Sequence, residues 1–216
     1  MGAAQDELAE AAVRRAVDTG FGHRADLAIR YAELLCTAGI ERGLIGPREA
    51  GRIWGRHLFN SAALAPLIPA GAHVVDIGSG AGLPGIPVAL ARPDLHVVLL
   101  EPMARRVAFL QECVAALDLP QVEVAHRRAQ DGLPAAAAVV ARAVAALPVL
   151  AAMALPAGSG AELLALKGSS VATEAAELAA AGGYDVEVLE VTDPAGAPAT
   201  VARVRATQRP RDGGSR

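Results

Sequence analysis

The chain has 216 residues, 53% apolar and 20% charged, with a formal net charge of −3 at pH 7. That length suits one α/β domain with a modest extension, and the composition is that of a soluble globular chain. No apolar run reaches the roughly 18 residues of a membrane span, and the first ten residues, M-G-A-A-Q-D-E-L-A-E, show no basic region ahead of an apolar core. No membrane partner and no secretory signal are therefore expected. Cys36 and Cys113 stand far apart, which predicts reduced thiols in a cytoplasmic protein, and no His/Cys cluster announces a metal site. Net acidity argues against a bulk polyanion binder but leaves room for a nucleic-acid enzyme with one basic face.

Three helices are expected before residue 70. The first covers 5–18, with Leu8, Ala12 and Val13 on one face and Asp6 and Glu7 near its start. The second covers 24–38, with Leu27, Ile29, Tyr31, Leu34 and Leu35 recurring at three- and four-residue steps. A break at Gly43–Pro47 precedes a third helix to about Leu67, with Ile53, Trp54, Leu58 and Leu64 inward. Arg52, Arg56 and Asn60 are spaced by four and share a face of that helix, which also carries His57. A solvated polar stripe accounts for them without further assumption.

From His73 the pattern alternates. Strands are predicted at 73–77, 96–101, 122–125, 138–141, 161–166, 185–191 and 200–206. Helices are predicted at 84–91, 103–117, 147–154 and 170–181. Alternating β and α units imply a parallel sheet. Only about eight residues join the last two strands, too few for a helical crossover, so these should pair antiparallel. The domain organisation that follows is a helical extension over 1–70, an α/β domain over 71–207 and a frayed tail over 208–216.

The most informative stretch is Val74–Pro87, V-V-D-I-G-S-G-A-G-L-P-G-I-P. It reads as a buried strand, a tight glycine turn and a helix start, whose free N–H groups and positive dipole end suit a small anionic or zwitterionic ligand. In an open parallel sheet, ligands bind at the C-terminal strand edge. Glu101 closes strand two there, where a carboxylate can accept both hydroxyls of a ribose. Arg128–Asp131 follow strand three and are placed to flank an adenine. Arg142 and Lys167, the only lysine beside nineteen arginines, follow strands four and five.

Gly80-Ala-Gly82-Leu-Pro-Gly85 satisfies G-x-G-x-x-G, so an NAD-dependent dehydrogenase on a Rossmann fold is one reading. The turn starts earlier, however, at Gly78, and Asp76 interrupts a strand that dinucleotide-binding folds keep apolar. Prolines at 84 and 87 would crowd a pyrophosphate site. An acid-G-x-G-x-G turn, an acid closing strand two and an antiparallel seventh strand fit a class I S-adenosylmethionine-dependent methyltransferase better.

D-I-G-S-G-A-G-L-P-G-I-P (76–87) closely resembles the signature of the RsmG (GidB) family of 16S rRNA methyltransferases. G-L-I-G-P-R-E (43–49), R-H-L-F-N-S (56–61), A-R-R-V-A-F-L (104–110), A-R-A-V-A-A-L (141–147) and A-L-K-G (165–168) resemble further family blocks in order, so the resemblance spans roughly residues 25–206. It implies methyl transfer from S-adenosylmethionine to N7 of a guanosine in the decoding-region loop of 16S rRNA, with S-adenosylhomocysteine as product. It implies a substrate in the small ribosomal subunit or an assembly intermediate, and we expect a monomer. By position it implies cofactor contacts at Gly78, Leu83, Ala129, Gln130 and Arg142, beside the Gly80, Gly82 and Glu101 singled out above; the family often has Glu where Gln130 stands. Arg56, His57 and Lys167 match positions near the active cleft. We expect Arg142, Lys167 and His57 to act in the transfer, and Arg52, Arg56, His57 and Lys167 to face RNA.

Overall fold

The structure, a computed structural model, describes residues 2–156 and 160–207, with side chains from residue 9 onward. The expected tail over 208–216 and the inward placement of Leu8 lie outside the described residues. Seven strands form one sheet: β1 (His73–Ile77), β2 (His96–Glu101), β3 (Val122–His126), β4 (Ala138–Arg142), β5 (Glu162–Lys167), β6 (Tyr184–Thr192) and β7 (Pro198–Ala206). Their order is β3-β2-β1-β4-β5-β7-β6. Strands β1 to β5 pair in parallel, and β7 runs antiparallel to both β5 and β6. The strand order reverses between β1 and β4, which makes their C-terminal ends the natural ligand edge.

Helices α1 (Gly2–Phe21), α2 (Ala25–Leu34), α3 (Asn60–Ala62), α4 (Gly85–Ala91), α5 (Ala104–Ala116), α6 (Leu147–Ala154) and α7 (Val171–Ala181) cover the sheet. The pleat sends alternate residues to opposite faces. Val74 of β1 packs in a core with α2, α4, α5 and the segment Ile53–Ile68, whereas Val75 and Ile77 pack with α6 and α7. The N-terminal helices and one face of the sheet thus share a single apolar core.

The extension differs from expectation in three ways. In α1 the buried residues are Ala16, Val17 and Phe21, with Ala12 exposed, because the helix continues to Phe21 and packs through its second half. After α2 the chain widens into a π turn over Leu35–Gly39. The predicted third helix is broken into a 3-10 stretch, Pro47–Arg52, a π-helical stretch, Ile53–Phe59, the single turn α3 and a 3-10 turn, Ala65–Leu67. Gly51 and Gly55 weaken regular helix there. The wider π turn also breaks the four-residue spacing that was to align Arg52 with Arg56. Ile53, Leu58 and Leu64 are buried as expected, and Trp54 leans on Phe59 at 5.5 Å.

Candidate active site

The switch-point edge opens into a cleft of about 670 Å³, within the usual range for small-ligand sites. Its floor is the glycine loop after β1. Its walls are the ends of β4 and β5 on one side and the segment Leu44–Asn60 on the other.

The loop is built from underneath. Gly78, Gly80 and Gly82 have φ of 68°, 58° and 97°, a left-handed conformation that glycine adopts without strain. A side chain on Gly82 would run into Ile86 and the Tyr31 hydroxyl, and one on Gly85 into Leu99 and Asp76. These two glycines permit close packing below the loop. Only Gly80 opens outward: its missing Cβ would meet nothing nearer than Gly78 O at 3.8 Å. Tyr31 is fully buried and donates to Ala81 O at 2.7 Å, so α2 grips the loop directly.

The helix start is not the free-donor cradle that the sequence suggested. Gly85 N donates to Asp76 Oδ2 at 3.0 Å and Ile86 N to Gly82 O at 2.8 Å, and α4 is buried through Leu90. Pro84 lies just before the helix rather than in its first turn. Asp76, fully buried, takes over the helix start; burial pushes its carboxyl up to about 7, and its Oδ1 has no partner. Glu101 closes β2 as predicted, but both its oxygens hold backbone: Oε2 accepts from Gly80 N and Oε1 from Met103 N, each at 2.9 Å. Each oxygen keeps a second lone pair, and Arg106 stands 3.6 Å away.

Across the cleft, Arg142 and His57 meet. Arg142 Nη2 lies 2.6 Å from His57 Nδ1, and Arg142 Nη1 donates to Arg56 O at 2.9 Å. His57 Nε2 lies 2.8 Å from Glu49 Oε2. Burial pulls the His57 imidazole below its ordinary value, and its hydrogen bond pulls the Glu49 carboxyl down. Arg142 is followed by Ala143, at φ 55°, a strained turn for a residue with a side chain. At the end of β5, Lys167 Nζ donates to Ala145 O at 2.8 Å and Glu174 Oε2 at 2.7 Å. Glu174 also accepts from Leu147 N and Ser170 Oγ, and the Lys167 and Ser170 bonds hold its carboxyl at about 2.

Of the residues singled out from sequence, Arg56, His57, Gly78, Gly80, Leu83, Arg142 and Lys167 line this one cleft. Gly82 lies beneath the loop and Glu101 beside it. Ala129 and Gln130 form a short turn after β3, beyond β2, and do not line the cleft. Arg52 is exposed and outside the lining, because the π turn carries it away from Arg56. Sequence reasoning missed Glu49, Tyr31, Arg106 and Glu174. Glu49 and Arg106 had a signal, each inside a family-like block, G-L-I-G-P-R-E and A-R-R-V-A-F-L, and Tyr31 was read only as an inward residue of its helix.

A seven-stranded sheet in this order, with a glycine loop after β1 and an acid closing β2, defines the class I methyltransferase architecture. An O-methyltransferase from neocarzinostatin biosynthesis, solved in complex with S-adenosylmethionine and a naphthoic acid, superposes with a TM-score of 0.55 at 17% identity, covering 88% of this chain and 71% of that one. At the sequence level, residues 24–195 match the rRNA small subunit methyltransferase G profile, GidB. Ribosomal RNA small subunit methyltransferase G of Kineococcus radiotolerans is 52% identical, covering 88% of this chain and 78% of that relative. Its counterpart from Acidothermus cellulolyticus is 55% identical, covering 82% of each. The chain belongs to the rRNA small subunit methyltransferase G family.

Proposed function

We propose that the protein transfers a methyl group from S-adenosylmethionine to N7 of a guanosine in 16S rRNA, on the small subunit or an assembly intermediate, in the cytoplasm. The observation that carries this reading is the commitment of the cleft's ionisable groups. Its two lining carboxylates, Glu49 and Glu174, are tied to His57 and Lys167, and His57 is engaged at both nitrogens. Such a cleft is built to position a substrate rather than to take its proton. Guanine N7 carries a free lone pair on its major-groove edge and needs no general base.

The residues fit the cofactor. Gly80 leaves open space above the loop, Leu83 and Arg142 line the same cleft with apolar contact and a cation, and Glu101, buried beside the loop, keeps a spare lone pair on each oxygen. Gly78, Gly80, Leu83 and Arg142 would hold it on the cleft side, with Ala129 and Gln130 at the adenine end. Bound there, it supplies an electrophilic methyl on a sulfonium. Lys167, Arg56 and Arg142 supply positive charge toward RNA phosphate, and His57 holds Arg142. An unpaired guanosine is required, because the A-form major groove is too deep and narrow to admit the cleft.

Calorimetry and tritium transfer on 30S particles test the reading together. Binding of S-adenosylhomocysteine but not NAD, with 7-methylguanosine appearing in 16S rRNA, is the expected result. Binding of NAD instead would favour the dehydrogenase alternative, and binding without transfer a non-catalytic ribosome-binding role.

A further inference from the structure

The Glu49–His57–Arg142 chain has a fixed direction. A guanidinium has only donors, so the 2.6 Å contact with Arg142 Nη2 requires a lone pair on His57 Nδ1. The imidazole is therefore neutral with its proton on Nε2, where it donates to Glu49 Oε2 at 2.8 Å. The ring is 8% exposed, so water cannot readily replace either partner. Arg56 Nε, 3.3 Å from the same Glu49 oxygen, holds that carboxylate in turn. Glu49 belongs to the extension and Arg142 to the end of β4, and the His57 side chain is hydrogen-bonded to both.

We propose that Glu49 is a positioning residue: through the Nε2–H tautomer of His57 it fixes the guanidinium of Arg142 at the ligand edge of β4. The helical extension thereby sets the geometry of the cleft from which the sheet draws its cation. Without the acceptor at Glu49, the ring is free to put its proton on Nδ1, facing a group that can only donate. Arg142 then loses one of its two anchors, the other being Arg56 O. The consequence for catalysis rests on the methyl-transfer reading; the consequence for the tautomer does not.

Nitrogen-15 NMR of the imidazoles in wild type, Glu49→Gln and Glu49→Ala reads the tautomer. Parallel methyl transfer on 30S particles reads the function. Wild type and Glu49→Gln, which keeps an acceptor, should show a bare Nδ1 and a protonated Nε2; Glu49→Ala should show averaged nitrogens. Transfer should fall by about tenfold or more in Glu49→Ala, the scale of loss when a substrate-positioning group shifts. KM for S-adenosylmethionine should rise, and Glu49→Gln should recover most of the loss. A merely structural role would lower the melting temperature without moving the tautomer. An Nδ1–H or imidazolium signature in wild type overturns the proposal, as does an unchanged tautomer in Glu49→Ala or an equal loss of transfer in both variants. The NMR arm decides the positioning claim whether or not transfer is detected; wild type with the expected tautomer and no transfer would sink the functional reading alone.

Discussion

Asp76 makes the fold's stability depend on pH in a direction opposite to most carboxylates. It sits in β1 with no exposed surface, and burial raises its carboxyl from the ordinary 3.8 to about 7. The Ser79 hydroxyl, the Gly85 N–H and Arg142 oppose that rise without cancelling it. The folded protein therefore holds a proton that the unfolded chain releases. Stability from this group is fully present below about 3.8 and is lost as pH rises through about 7. For a lone carboxyl with those two values, the loss between pH 5 and pH 8 is roughly 2–3 kcal/mol. Asp76→Asn keeps an acceptor for Gly85 N–H and cannot ionise. Urea unfolding of the cofactor-free protein at both pH values, wild type against variant, isolates the effect. Any fixed penalty of the new amide and the titration of other groups cancel in the double difference. The variant should gain roughly 2–3 kcal/mol on wild type between pH 5 and pH 8. A difference flat to within about 0.5 kcal/mol would mean that Asp76 is ionised at neutral pH and that its unpartnered Oδ1 is satisfied in some other way.

Three further outcomes are expected. Lys167→Ala should lower methyl transfer far more than affinity for S-adenosylhomocysteine, because Lys167 is pinned at the end of β5 to Glu174 and Ala145 O; equal losses in transfer and calorimetry would move it into the cofactor site. Gly80→Val should abolish S-adenosylhomocysteine binding in protein whose circular dichroism is unchanged, since a β-branched side chain fills the open space above Gly80 and strains the loop at its φ of 58°; undiminished affinity would remove the loop from the site. Ala143→Gly should stabilise the protein by about 1 kcal/mol in urea by relieving a left-handed alanine, and a destabilisation would show that the lost methyl contact matters more.

The sheet was legible because its signal is local. Apolar runs bounded by Gly and Pro located all seven strands, and the short link expected at 192–199, which the structure narrows to 193–197, foretold the antiparallel end. The extension was less legible because tertiary packing overrode periodicity: Gly51 and Gly55 let the chain widen at Ile53–Phe59, and that widening turns the Arg56 carbonyl toward Arg142. The glycine loop was legible as part of the cleft lining but not in its wiring. Asp76, odd in an apolar strand, was read as a sign against a dinucleotide; its physical work is to hold the start of α4. Glu49 and Arg142 are ninety-three positions apart (142 − 49), and no local pattern joins them.

The charge on the cleft reconciles an acidic chain with a polyanionic substrate. Four cations line it, Arg56, Arg106, Arg142 and Lys167, against two carboxylates, Glu49 and Glu174, a local balance of +2 on a chain of net −3. Counting Glu101 behind Arg106 still leaves +1. Charge in a concave, partly desolvated site acts more strongly than the same charge spread over a surface, so this local balance favours an anionic ligand in the cleft of a net-acidic chain. Arg142 and Lys167 are held by His57, Arg56 O, Ala145 O and Glu174 before any ligand arrives, so little side-chain freedom remains to be lost on binding. If the cleft holds RNA as proposed, so few fixed cations would give modest affinity and a shallow salt dependence, because counterion release scales with the number of phosphates neutralised. On the proposed reading, recognition of the target then falls to the shape of the folded RNA around an accessible guanosine.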